Sequence, residues 1–242
     1  MAVMIDPDKS SLLRATPRLM QILRVLARHQ FLGALRGKGH WPPPAEIRKT
    51  FEELGLTFLK FGQVLAMRRD LLPDAYIKEL EQLHDQLPAL GINAVRATVE
   101  AELGAPLTKL FASFSETPLA AATIAQVHEA TLLDGRHVAV KVQRPGLEEM
   151  ISTDIAAMFY LVSLGEKLFP RLLALDLPVL VREFANSLNR ETDFSHEARS
   201  ITIFRTALKD IPDLWIPNVV KECSSGNVLT VPTVNCERGN SS

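Results

Sequence analysis

The sequence has few cysteines, little net charge and no long apolar run, and each absence removes a class of function. Only Cys223 and Cys236 occur in 242 residues, so neither a disulfide framework nor a zinc site is indicated, and a reducing compartment is expected. A net charge of -1, without interleaved basic and aromatic residues, argues against a nucleic-acid partner. No run of about eighteen apolar residues predicts a transmembrane helix. We expect a cytoplasmic protein, either soluble or peripheral on the inner face of the membrane.

Acidic residues are also missing from the N-terminal segment, between Lys9 and Ala45. Leucines and isoleucines recur there at helical spacing, so residues 1–40 are predicted to form a basic amphipathic segment. Such a helix either lies on an anionic membrane surface or packs on the domain behind it with its basic face solvated. An organelle transit peptide is a third interpretation, which Asp6 and Asp8 weaken. The basic residues are Lys9, Arg14, Arg18, Arg24, Arg28, Arg36 and Lys38, and the apolar stripe is Leu12, Leu19, Ile22, Leu23, Leu26 and Leu35.

Residues 41–105 are predicted to be a helical extension. "WPPPAE" from Trp41 interrupts the first helical region, and "AEIRKTFEEL" predicts a helix that stops at Gly55. A second helix carries "KFGQ", a third runs through "AYIKELEQLHDQL" to Pro88, and "NAVRATVEAELG" is a fourth. The segment has no strand signal.

Residues 106–231 mix strands with helices. Short β-rich runs flank Asp134-Gly135, a strong hairpin signal, and long helices are predicted from about Leu147 to Phe169 and from Pro178 to about Leu208. "WIPNVVKE" and "NVLTV" are predicted strands joined by the turn "CSSGN", and 232–242 an irregular tail. The order of elements predicts an α+β fold with a small antiparallel sheet.

Three stretches place polar groups where chemistry could use them. In "FLKFGQVLAMRRD", Lys60, Gly62 and Gln63 interrupt an apolar helix, where glycine costs roughly 1 kcal/mol against alanine. Taken alone, this stretch is better explained by close helix packing at the glycine and a lysine that reaches solvent. In "HVAVKV", Lys141 lies on a strand after the small-residue loop Ala120–Ala125, a layout that protein kinases use to contact phosphates. A lysine that simply faces solvent is the alternative.

The third stretch, "NRETDFSHEARS", holds three carboxylates, Glu191, Asp193 and Glu197, within seven residues. Asp193 and Glu197 are four apart and are predicted to share a helix face, a like-charge pairing that a nearby cation would relieve. A kinase needs a helix glutamate to hold its strand lysine. The alternative is a solvated acidic face balanced by neighbouring arginines.

Taken in order, "KFGQ", "PLAAATIAQVH", "VAVKVQRPG" and "ETDFSHEA" closely resemble the UbiB/AarF family of atypical protein-kinase-like proteins, over about residues 45 to 231. The resemblance implies a kinase-like N-lobe preceded by a helical extension that folds over the substrate site. It also implies ATP and magnesium as cofactors, and support of ubiquinone biosynthesis, with quinone-biosynthesis proteins or an isoprenoid lipid as partners.

The resemblance assigns roles residue by residue. Lys141 matches the lysine that contacts nucleotide phosphates, and Glu197 matches its glutamate partner. Glu191 and Asp193, with Lys60 and Gln63, match a signature that restrains protein phosphorylation. Small residues match the alanine-rich nucleotide loop, with an alanine at 125 where some members have glycine. The residues implied for nucleotide binding are Ala120, Ala121, Ala122, Thr123, Ile124, Ala125, Val127, Ala139 and Lys141.

The catalytic-loop and "DFG" motifs of kinases are not in this sequence: no His-x-Asp follows Leu208, and the only "DF" is Asp193-Phe194. We therefore expect a truncated member without its C-lobe and without magnesium ligands. One hypothesis is the N-terminal part of a UbiB-like kinase or ATPase, a phosphotransferase that is inactive alone. The alternative is a non-catalytic regulatory module that binds a lipid surface or a partner.

Overall fold

A computed structural model describes residues 9–31, 42–84, 88–168, 176–212 and 214–233. These residues fall into two compact units. One, which we call the helical unit, is drawn from Met1–Asp85 and Glu148–Leu188, and the other, the sheet unit, from Gln86–Leu147 and Asn189–Ser242. The helices predicted as an insertion in the sheet domain thus pack with the N-terminal helices. The predicted segment boundaries at 40, 105 and 231 stay a prediction.

The elements follow the predicted order of helices, sheet and helices, and then end in one strand where two were predicted. They are α1 Lys9–Arg28, α2 Pro44–Leu54, α3 Leu56–Ala66, α4 Asp74–Leu80, α5 Ile92–Leu103, α6 Leu107–Leu110, β1 Phe111–Ala121, β2 Ala125–Leu132, β3 His137–Gln143, α7 Leu147–Leu168, α8 Leu177–Thr192, α9 Phe194–Ala207 and β4 Val228–Pro232. A 3₁₀ turn at Lys221–Cys223 precedes β4. The predicted α+β class is confirmed.

Helices α2 and α3 of the helical unit are separated by one residue, Gly55. Its φ of 91° is a left-handed conformation that L side chains rarely adopt, so the helix stops where the sequence predicted. Phe51 of α2 then stacks on Phe58 of α3, with ring centroids 6.4 Å apart. Phe61 of α3 contacts Phe184 of α8 at 5.0 Å. Aromatic contacts thereby join α3 to helices on both sides.

Helix α1 packs into the helical unit through its apolar stripe, since Ile22 and Val25 are almost fully buried. Arg18 Nε donates to the buried carboxylate of Asp154 on α7 at 2.5 Å, and another nitrogen of Arg18 donates to the Leu54 carbonyl. These contacts favour packing over the membrane-surface interpretation. Leu35, Arg36, Lys38 and Trp41 lie outside the described residues. Among the residues that are described, no helix is long and apolar enough to cross a bilayer.

The sheet unit contains an antiparallel sheet in the order β1-β2-β3-β4. Gly135, with a φ of 88°, turns the predicted β2–β3 hairpin. Three valines of β3, Val138, Val140 and Val142, are almost fully buried against Val95 and Val99 of α5. Alternation along β3 leaves Lys141 on the opposite face of the strand.

Three predicted elements are wrong in extent or type. The helix predicted from Pro73–Asp74 ends at Leu80, after which residues 81–82 form a turn and residues 83–84 are irregular, with Leu83 buried. The helix predicted to Leu208 breaks at Asp193, between α8 and α9. "WIPNVVKE" is not a strand: 214–220 are irregular, and Pro217 removes a ladder donor.

Candidate phosphate site

Lys141 reaches a carboxylate that lies 56 positions later in the sequence. Its Nζ donates to Glu197 Oε2 at 2.6 Å and lies 4.6 Å from the centroid of the Phe194 ring. Both charged side chains are partly exposed, at 29% and 45%, so solvent screens the pair and it adds little to stability. The pair does fix where the ammonium group points.

The start of α9 is anchored to the sheet, which brings Glu197 to Lys141. Phe194 is 1% exposed, and its backbone N–H donates to the carbonyl of Gly226 at 2.8 Å. Gln143 Nε2, two residues after Lys141, donates to the Thr192 carbonyl at 2.6 Å. Hydrogen bonds on both sides of position 193 therefore fix the position of the first turn of α9 against the sheet, and Glu197 lies in that turn.

Asp193 is the N-cap of α9 and not a residue within a helix, so the predicted shared face with Glu197 is wrong. Its backbone is extended (φ -91°, ψ 100°), and its Oδ1 accepts from the Ser195 N–H at 2.9 Å. Burial opposes the ionised carboxyl, but the Ser195 hydrogen bond and nearby His196 and Arg199 outweigh it and lower the pKa of Asp193. The carboxylate thus already has a structural task.

Lys60 and Gln63 lie together on α3 of the helical unit, both half-buried. Gln63 Nε2 donates to the Leu83 carbonyl at 3.4 Å. Glu191 lies in the last turn of α8 and is exposed. The predicted approach of Lys60 and Gln63 to Glu191 and Asp193 joins residues of different compact units and stays a prediction.

The predicted alanine-rich loop is shorter than expected. Ala121 pairs with Gln126 and Ala120 with Val127. Since β1 ends at Ala121 and β2 begins at Ala125, only Ala122, Thr123 and Ile124 lie between the strands. We call these three residues the β1–β2 turn. It closes through the Ala122 N–H, which donates to the Ala125 carbonyl at 2.8 Å.

The turn and the lysine are linked by strand register. Val127 pairs with Lys141 across β2 and β3, and Ala139 lies on the same face two residues before the lysine. Thr123, in the turn, is 1% exposed, yet its hydroxyl has no hydrogen-bond partner among the described residues. A buried hydroxyl without a partner is costly, and a ligand oxygen would satisfy it.

Sequence reasoning gave no role to Arg144, although the residue stands inside the quoted "VQRPG". Arg144 Nε donates to the Ala122 carbonyl at 3.0 Å, and a terminal nitrogen donates to the Pro88 carbonyl at 2.9 Å. Burial lowers the pKa of this guanidinium. The only available signal was a cation directly after the lysine strand and before a proline.

No metal centre is visible in the described parts of the chain: no three His, Cys, Asp or Glu side chains converge there. The elements present are a fixed ammonium group, a tight turn and an unsatisfied hydroxyl. Together they suit an anion with several oxygens, such as a phosphate.

The chain is similar to several known proteins. The profile of the ABC1 atypical kinase-like domain matches residues 82–238. The probable protein kinase UbiB of Marinobacter nauticus is 38% identical over 189 residues, which cover 78% of this chain and 35% of the relative. A Clostridium pasteurianum protein, described as an uncharacterized protein in the hydrogenase 1 5' region, is 35% identical over 219 residues, covering 90% of this chain and 41% of the relative.

The chain therefore spans well under half the length of these curated relatives. Among solved structures, the Rv3197–erythromycin complex from Mycobacterium tuberculosis aligns with a TM-score of 0.54 and 28% identity. That alignment covers 91% of this chain and 50% of the other. The likeness extends across the helices and the sheet described above.

Proposed function

The chain belongs to the ABC1 atypical kinase-like family, and from this premise we propose that its sheet unit binds the phosphates of ATP. In the complete protein, this unit would form one part of a UbiB-type kinase or ATPase that supports isoprenoid-quinone biosynthesis. The 242-residue chain would be inactive by itself.

The single observation that carries the proposal is the Lys141–Glu197 ion pair at 2.6 Å. The glutamate holds the ammonium group on the exposed face of β3, and Phe194 supports it from below through a cation–π contact. Because the ion pair already orders this lysine, binding a phosphate costs little further side-chain entropy. The unsatisfied Thr123 hydroxyl in the neighbouring turn supports a ligand with oxygen acceptors.

Magnesium is the metal that kinases use with ATP, where it neutralises charge on the phosphates. No group of potential ligands converges among the described residues, and Glu197 is held by Lys141. We therefore propose that this chain contacts ATP weakly, through the lysine and the turn, and without dependence on magnesium.

An ATP titration of the ¹⁵N-labelled 242-residue chain tests the proposal. We expect amide shifts in 122–124 and 138–142 at millimolar ATP, on the order of a 1 mM Kd, equally with and without magnesium. Lys141→Ala abolishes these shifts, whereas Lys109→Ala, an exposed lysine of the same unit, leaves them unchanged. Shifts that survive Lys141→Ala refute the site. Tight, magnesium-dependent binding that Lys141→Ala abolishes refutes the metal-independent contact.

A non-catalytic, lipid-binding or partner-binding role is the second candidate, and exposed apolar side chains favour it. Ile203 and Phe204 on α9 are 66% and 58% exposed, and Trp215 just beyond is 55% exposed. Flotation with phosphatidylcholine vesicles, with and without phosphatidylglycerol, distinguishes a lipid partner. If the chain floats with vesicles and the double variant Phe204→Ser, Trp215→Ser does not, the lipid role is supported. If the chain stays in the bottom fraction with both kinds of vesicle, the lipid role is rejected.

A further inference from the structure

Arg144 contacts the β1–β2 turn at two points. Its backbone N–H donates to the Ile124 carbonyl at 2.9 Å, and its side-chain Nε donates to the Ala122 carbonyl at 3.0 Å. The carbonyl that follows the turn, at Ala125, accepts from the Ala122 N–H. Three donors therefore hold three of the four carbonyls from Ala122 to Ala125, and a carbonyl held in this way cannot turn toward a phosphate and repel it.

The guanidinium of Arg144 is itself fixed. A second nitrogen donates to the Pro88 carbonyl at 2.9 Å. Leu90, two residues after Pro88, is held in turn by the fully buried side chain of Gln126. The Gln126 Oε1 accepts from the Leu90 N–H, and its Nε2 donates to the Leu90 carbonyl at 3.4 Å. The planar fork of an arginine can bridge two carbonyls in one rigid geometry, whereas an ammonium group cannot hold both in the same way.

The backbone at Arg144 also has little freedom. Pro145 follows it, and the residue before a proline is restricted to extended conformations. Gly146 then takes a φ of 71°, which starts the turn into α7. The N–H of Arg144 is thus aimed at the turn by local sequence, and its side chain reaches back over the same turn.

We propose that Arg144 is a positioning residue that holds the Ala122 and Ile124 carbonyls of the β1–β2 turn away from a bound phosphate. This inference rests on the proposed function for its ligand. The conformational part concerns the turn alone and does not require a nucleotide.

Hydrogen exchange in the nucleotide-free chain tests the conformational part at two amides: Ala122, which donates to the Ala125 carbonyl, and residue 144, which donates to the Ile124 carbonyl. We expect Arg144→Ala to accelerate exchange by about tenfold, the size typical of losing a charge-assisted hydrogen bond. Arg136→Ala is the matched control, because Arg136 is an exposed arginine of the neighbouring hairpin that pairs with Asp134. Unchanged exchange in Arg144→Ala overturns the inference whether or not ATP binds.

The ATP titration then tests the functional part. We expect Arg144→Ala to raise the Kd for ATP, measured from the amide shifts at residues 122–124, by about tenfold. Added ethylguanidinium is expected to restore the binding. Arg144→Lys keeps the charge but is expected not to restore it. It also serves as the test if Arg144→Ala does not fold. Full binding by Arg144→Lys overturns the positioning role, whereas wild-type protein without any ATP response overturns the proposed function and leaves the exchange result to decide the inference.

Discussion

Replacing Asp193 separates its structural role from its charge. The side chain caps α9 by accepting from the Ser195 N–H at 2.9 Å, and it lies 3.6 Å from His196. Asparagine caps a helix about as well as aspartate, whereas alanine does not. We therefore expect Asp193→Ala to destabilise the first turn of α9 by about 1 kcal/mol, and Asp193→Asn by only a few tenths.

Native-state hydrogen exchange of the amides at the start of α9 measures this difference. A loss of about 1 kcal/mol corresponds to roughly fivefold faster exchange for Asp193→Ala. Asp210→Ala, an exposed aspartate outside the helix, is the control and is expected to match wild type. Equal losses in the alanine and asparagine variants would refute the capping argument, as would unchanged exchange in Asp193→Ala.

The same carboxylate gives a pH dependence with a defined sign. The pKa of Asp193 is lowered in the folded chain from its ordinary 3.8, so the ionised form contributes stability above that value. The contribution is lost as pH falls through the folded pKa. We expect the small advantage of wild type over Asp193→Asn to disappear in acid, and an advantage that grows in acid would contradict the assignment.

Two further predictions concern the helical unit. His29 lies between two carboxylates, 2.6 Å from Glu46 and 3.0 Å from Glu53, and its hydrogen bond to Glu46 is the main cause of its raised pKa. Amide exchange is itself base-catalysed, so the quantity to compare is the protection factor, the intrinsic exchange rate divided by the measured rate. We expect protection at the end of α1 to be fully present below the ordinary histidine pKa of 6.5 and to fall as pH rises through the folded pKa. A side chain at Gly62 would overlap Leu83, so we expect Gly62→Val to lower the free energy of unfolding by about 1–3 kcal/mol in urea denaturation.

Matched variants control both experiments. His29→Gln is expected to remove the pH dependence of the protection factors, and His84→Gln, at an exposed histidine of the same unit, to keep it. Ala75→Val adds the same branched side chain to an exposed helix position and should cost only about 0.5 kcal/mol of helix propensity. A pH dependence that survives His29→Gln, or equal costs at 62 and 75, would contradict these explanations.

Local sequence determined much of this protein. Gly55 ends α2, Asp134-Gly135 turns the hairpin, and alternation along "HVAVKV" puts Lys141 opposite the buried valines, because each depends on backbone conformation or period within a few residues. The family, too, could be identified from four short motifs, and both the α+β class and the family membership are confirmed.

Only the tertiary structure decided the remaining features, because each depends on residues far apart in the chain. The break at Asp193 follows from the anchoring of Phe194 at Gly226. Arg144 acquires its partners from a turn twenty-two residues earlier and a carbonyl fifty-six residues earlier. Sequence periodicity reports which face of an element is buried, but it does not report which distant carbonyl a buried or half-buried donor will meet.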